Sequence, residues 1–238
     1  HVGRTPGRSA RTAPKGRTME IDPATLPSSE RYKLLIGAIV PRPIAVVGTT
    51  SPDGASVNLA PFSFFAGAGS EPMSLLFCPA NDEHGHEKDS LRNAKSRSEG
   101  GSGEFTVSIA AHPIIRRVVA AAEPLPYGAS EFELSGLTPR PGVMVRAPFV
   151  AESPVAFECR TLQVIRLDGG SAVPNAGNIV IGAVVRVHVR DEMVDARHRI
   201  DPAKLDAVGR MGGFGYATTR DRFELPWGAA ALEMPPGS

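Results

Sequence analysis

Residues 155–167 read VAFECRTLQVIRL and residues 178–190 read NIVIGAVVRVHVR. Both runs are rich in β-branched side chains, which fit a pleated surface better than a helix. In the second, Val185, Val187 and Val189 alternate with Arg186, His188 and Arg190, a period of two. The joining segment, Asp168 to Gly177, carries Gly and Pro, the residues of turns. Together the two runs predict one long antiparallel hairpin.

Shorter strands precede it. Residues 44–49 (IAVVGT) read as a buried strand, Ser51-Pro52-Asp53-Gly54 as a turn, and residues 56–61 as the returning strand. Before them, Pro41 and Pro43 forbid a regular helix and hold the chain extended. Residues 73–79 (MSLLFCP) are apolar on both faces and predict an interior strand, and residues 105–110 predict another. Short helices are expected over 88–97, capped by Asp89 or Ser90, and over 113–122, with Pro113 at the first position. Residues 30–39 read as a short helix or turn, and 124–142 as a loop holding one short helix. From Met211 onward the chain reads as loop. About six strands, mostly hairpin-joined, make this a mainly β fold, a small closed or nearly closed barrel with a few short helices.

The 238 residues suit one large domain, and 25 Gly with 22 Pro fit a turn-rich β protein. The net charge of +1 conceals an asymmetry. Residues 1–18 hold Arg4, Arg8, Arg11, Lys15 and Arg17 and no acid, leaving 21 bases against 25 acids in the rest. We read 1–18 as a disordered basic extension, 19–225 as the folded domain and 226–238 as a tail. The extension lacks the apolar core of a secretory signal, and Met19 reads as a natural start. The body has no basic excess for nucleic acid, and no run of 18 apolar residues suits a membrane span. Cys78 and Cys159 make no disulfide framework; two buried, reduced thiols fit the cytoplasm.

Several chemistries are missing. No G-x-G-x-x-G, P-loop, G-x-S-x-G or C-x-x-C is present. Glu83-His84-Gly85-His86-Glu87 has metal-ligating types, but reads as a solvated loop at a pocket rim, not as a metal site. Two stretches suit a flavin mononucleotide. Lys88-Asp89-Ser90, opening a helix, offers a cation, a hydroxyl and backbone amides to a phosphate. Asn58-Leu59-Ala60-Pro61-Phe62-Ser63-Phe64-Phe65 offers an amide, a hydroxyl and small residues where a flat ring can approach the backbone. Asn58 and Ser63 are hard to explain as packing, because buried polar groups need partners. Phe64 and Phe65 read as core.

In order along the chain, Val40-Pro41-Arg42-Pro43-Ile44-Ala45, Asp53-Gly54 and Asn58 to Phe65 resemble the flavin-reductase-like family of FMN-binding split barrels. That family includes flavoredoxin and the small reductase components of two-component monooxygenases. Lys88-Asp89-Ser90 with Asn93 resembles its K-D-S/T-x-x-N segment, and Gly103 to Ser108 its G-E-F-x-V-N strand. Gly182 to Val189 resembles its G-x-V-x-x-x-H-V strand, and Arg210-Met211-Gly212-Gly213 with Tyr216 its closing motif. The resemblance covers about residues 30–220. It implies a Greek-key-like split β-barrel, usually a homodimer, with FMN near the interface. It further implies flavin contacts at Arg42, Thr49, Asn58, Leu59, Ala60, Ser63, Lys88, Asp89 and Ser90, with Cys78 and Pro79 along the ring or ribityl chain. Lys88 and Ser90 would hold the phosphate; Thr49 and Ser63 would bond the phosphate, the ribityl chain or the ring edge. His188 reads as a barrel-surface residue, and Tyr216 has no assigned role.

The implied activity is reduction of FMN by NADH or NADPH, with the electrons passed to a monooxygenase or another acceptor protein. No protein side chain need act as acid or base, because the cofactor carries the chemistry. The rival expectations are an electron-transfer flavoprotein without nicotinamide activity and a haem or other-cofactor binder on a related barrel.

Overall fold

The computed structural model describes residue 16 and residues 18–233. The disordered extension read over 1–18 lies outside the described residues except for 16 and 18, as do tail residues 234–238. Five short helices and twelve strands occupy the described chain. In order, the first part holds α1 (Ser28–Ala38), β1 (Arg42–Pro43), β2 (Ala45–Thr50), β3 (Val57–Phe62), β4 (Phe65–Ser70), β5 (Met73–Phe77), α2 (Asp89–Ala94) and β6 (Glu104–Ile109). The second holds α3 (Ile115–Ala120), α4 (Glu131–Ser135), β7 (Pro139–Arg140), β8 (Phe149–Val150), β9 (Val155–Arg166), β10 (Asn178–Val189), α5 (Pro202–Leu205), β11 (Val208–Arg210) and β12 (Tyr216–Thr218).

The predicted long hairpin is β9–β10, at the heart of a seven-stranded antiparallel sheet of order β3-β2-β6-β9-β10-β5-β4. The sheet curls on itself. Phe62 of β3, Phe65 of β4 and Phe77 of β5 pack against one apolar cluster with Val47, Phe105, Val107 and Cys159, so strands from both ends of the sheet meet inside. The Phe62 and Phe77 rings lie 5.1 Å apart. A second cluster fills the outer face: Ile44, Val46 and Leu59 meet Ile114 and Val118 beside α3, Phe132 of α4 and Val150 of β8.

The segment 143–150 straps the outer face. Thr106 donates its hydroxyl to the Pro148 carbonyl at 2.6 Å, and the Val150 amide donates to Ser108 Oγ at 3.0 Å. Gly48 makes this crossing possible, since a Cβ there would collide with the Pro148 carbonyl.

Some expectations change. β4 (FAGAGS) was not predicted, because Ala and Gly carry little strand propensity; it forms as an edge paired with β5 and anchored at its start by Phe65. The large sheet thus has seven strands, and β12 forms where loop was expected. The predicted helix at 113–122 is a 3-10 turn, His112–Ile114, followed by α3. The alternation of residues 185–190 holds in facing from Arg186 to Val189 but not in burial. A register shift between Val184 and Arg186 re-aims the strand, leaving Val187 40 % exposed and turning His188 toward the outer-face strap.

Candidate functional site

Two buried polar clusters lie on opposite faces of the sheet. On the inner face, Thr49 and Asn58 are cross-strand partners on β2 and β3. Ser90 and Asn93, three apart on α2, point at them from one helix face. Asn58 Nδ2 donates to Ser90 Oγ at 3.1 Å and to Thr49 Oγ1 at 3.4 Å. Asn93 Nδ2 donates to Thr49 Oγ1 at 3.1 Å. All four residues are buried. Asn93 Oδ1, buried with them, has no hydrogen-bond partner. Buried polar atoms are nearly always paired, so an orphan here calls for an explanation.

The capping expectation for α2 is overturned. Its N-cap is Lys88, no side chain caps the helix, and Asp89 and Ser90 lie inside the first turn. The Ser90 hydroxyl serves Asn58 instead. Asp89 approaches Arg92 at 3.8 Å; burial pushes its carboxyl above the usual range, partly offset by Arg92. Lys88 is exposed and takes part in no ion pair among the described residues. Burial also raises Glu131 on α4, against the lowering effect of the Leu59 amide it accepts at 2.9 Å.

Further along β3 a second polar group forms. Arg42 is 3 % exposed; its Nε donates to Ser63 Oγ at 3.2 Å, and its terminal nitrogens to the carbonyls of Ile36, Ile39 and Met211. Four of its five N–H groups are therefore committed, and it ties α1 and the 211 loop to the end of β3. Asn58 and Ser63 are five residues apart, about 17 Å along an extended chain. Ala60 is half-buried between them and keeps the inner side of β3 low. The Leu59 side chain points the other way, into the outer core. Cys78 donates its amide to the Phe64 carbonyl at 2.9 Å, and burial raises its thiol pKa. The Pro79 carbonyl accepts from Asn178.

The structure thus brings Thr49, Asn58 and Ser90 together, joins Arg42 to Ser63, and sets Lys88 and Asp89 at the rim. Leu59 and Pro79 are engaged by the core and by Asn178. Among the described residues no group of three or more His, Cys, Asp or Glu could hold a metal ion. His84 and His86 are exposed, while Glu87 pairs with Lys95 and Arg166.

The outer-face cluster went unread in the sequence. Glu158 is fully buried on β9. It accepts from the amides of Val143, Met144 and Val145, with distances between 2.6 and 3.0 Å, and meets His188 Nε2 at 2.5 Å. Burial pushes its carboxyl up, but these donors outweigh that and hold it below the usual range. His188 does lie on the outer face of the barrel, as read, but its side chain is only 23 % exposed, tied to a buried carboxylate and stacked on Phe149 at 4.4 Å. The one signal was a lone acid inside the apolar run VAFEC.

A family model described as "flavin reductase like domain" matches residues 37–204. An uncharacterized protein of Deinococcus radiodurans is 41 % identical over 210 residues, covering 86 % of this chain and 87 % of its own. The crystal structure of nitrilotriacetate monooxygenase component B from Bacillus cereus superposes with a TM-score of 0.81 at 32 % identity, covering 89 % of this chain and all of that one. A Shewanella frigidimarina protein, described as a flavin reductase with a split barrel domain, has a TM-score of 0.70 at 22 % identity over 86 % of this chain and 96 % of its own. That likeness bears on the fold alone, and the curled sheet with its two unjoined ends is the same split barrel. With its family model, its relatives and its fold in agreement, this chain belongs to the flavin reductase-like family.

Proposed function

We propose that the protein binds FMN along the inner side of β3 and works as an NAD(P)H-dependent flavin reductase in the cytoplasm. The observation that carries this is the buried Thr49–Asn58–Ser90–Asn93 cluster with its unpartnered Asn93 Oδ1. An acceptor left orphaned beside two hydroxyls and an amide suits a ligand rich in hydroxyl donors, such as the ribityl chain. Lys88, free of any ion pair among the described residues, would bind the phosphate with the Ser90 hydroxyl. Thr49, Asn58 and Asp89 would orient the chain between them, and Ala60 would let the flat ring lie against the strand. Ser63, held by Arg42, would donate to the ring edge. Leu59, Cys78 and Pro79 would shape the wall.

Bound FMN would supply the redox chemistry, taking hydride at N5 from NADH or NADPH and yielding electrons to an acceptor. The chain's own contribution is to bind, orient and exclude water. The named function of the Bacillus cereus protein, component B of a monooxygenase, supports a monooxygenase as acceptor. A homodimer with FMN near the interface is supported by what the single chain leaves uncovered. Five of the six β4 residues are exposed on a flat edge of small residues, and Tyr32, Leu34, Leu35 and Ile39 are all exposed.

The test is anaerobic: purified protein, FMN and either NADH or NADPH, followed at the flavin absorbance. Bleaching with one donor is expected. No bleaching with either, while FMN remains bound, would favour an electron-transfer flavoprotein reduced by another protein.

A further inference from the structure

The outer face of the sheet carries a second constellation that flavin binding does not use. A cavity of about 540 Å³ opens beside the start of β9 and the end of β10. This lies within the size range of small-molecule sites. Arg140, Phe149, His188, Arg190, Asp191 and Glu192 line it. It sits on the far side of the sheet from Asn58 and Thr49: Cys159 faces the inner cluster, so its neighbour Glu158, and with it His188, faces outward.

His188 is held on two sides. Glu158 carries a charge stabilised by three backbone amides, so His188 Nε2 must be the donor in their 2.5 Å contact. Phe149 fixes the ring plane at 25° to its own. The second ring nitrogen, Nδ1, has no protein partner among the described hydrogen bonds, and the side chain is 23 % exposed. Two cations share the cavity. Arg140 lies over the Phe149 ring at 5.6 Å, and Arg190 donates to the Glu152 carbonyl at 2.7 Å. Neither forms an ion pair with a carboxylate among the described residues. Asp191 and Glu192, exposed on the same wall, repel polyanions and offer acceptors to hydroxyl or ammonium groups.

We propose that this cavity is a second binding site, for a small polar monocarboxylate such as a hydroxy or amino acid. The ligand's carboxylate would lie between Arg190 and Arg140, leaving the unpartnered Nδ1 of His188 to accept from the ligand's hydroxyl or ammonium group. That group would also face Asp191 and Glu192.

The experiment uses the full chain without nicotinamide, titrated with serine or glycerate while the ring protons of His188 are followed by NMR. Saturable shifts are expected. Arg190→Met, at an exposed position where it gives up one hydrogen bond to the Glu152 carbonyl, should weaken binding about tenfold or more, the effect of one charge-assisted hydrogen bond. FMN affinity should be the same in Arg190→Met, which separates this site from the flavin reading. Absence of saturable shifts would overturn the proposal. So would equal binding of glycerol or pyrophosphate, or unchanged affinity in Arg190→Met.

Discussion

The two faces of the sheet bury polar groups in opposite ways. On the outer face every oxygen of Glu158 is met: three strap amides and one imidazole converge on it. On the inner face four neutral side chains share too few partners, and Asn93 Oδ1 is left over. A satisfied charge network stabilises a fold, and removing one member leaves the rest stranded. An incomplete neutral network contributes little to folding but is available to a ligand. The outer pair thus anchors the strap as well as shaping a cavity, while the inner cluster is a site in waiting.

Substitutions can break that contrast, and Glu158→Ala should have the largest effect. It strands three amides and His188, at a cost of about 3–5 kcal/mol in chemical denaturation. Acid should act in the same direction. The folded carboxyl titrates below its ordinary range, so its stabilisation is present above that range and is lost as pH falls through the folded value. A stability that is flat from pH 6 down to pH 3 in the wild type, or equal in Glu158→Gln, would count against an anchoring role.

Next in size is Lys88→Ala, expected to weaken FMN binding by about 1.5–3 kcal/mol with no change in stability, as read by flavin fluorescence titration. Asn93→Leu sharpens the comparison. If the orphan oxygen contributes nothing to folding, the variant should lose no more than about 1 kcal/mol of stability, yet bind FMN more weakly. A large loss of stability with unchanged FMN affinity would make Asn93 a structural residue. The smallest effect belongs to Glu131. Burial raises its carboxyl, so its contribution to stability is full below the ordinary carboxyl range and declines as pH rises through the folded value. Glu131→Gln should therefore remove part of the neutral-pH penalty and change stability by about 1 kcal/mol or less.

Which parts were legible in the sequence follows the same division. The long hairpin was plain because β-branched runs bounded by turn residues have one reading. The inner cluster was legible at Asn58, Ser63 and Lys88-Asp89-Ser90, since polar types in an apolar strand or at a helix start stand out. β4 was invisible because, beyond Phe65, its side chains are only Ala, Gly and Ser. Arg42 read as a cation for a ligand, but the nearby carbonyls of Ile36 and Ile39 and the distant one of Met211 claim its donors, a convergence that only the folded chain reveals. The contact of Glu158 with His188 was missed because it joins two strands across a register shift that sequence pattern alone does not reveal.

The central claim is that flavin binds on the α2 face of the sheet and nowhere near His188. FMN titrated into the wild type, Asn58→Ala, Lys88→Ala and Arg190→Met, followed by quenching of flavin fluorescence, tests it most directly. Weaker binding in the first two variants and wild-type affinity in Arg190→Met is the predicted result. Unchanged affinity in both Asn58→Ala and Lys88→Ala, or a loss confined to Arg190→Met, would contradict it.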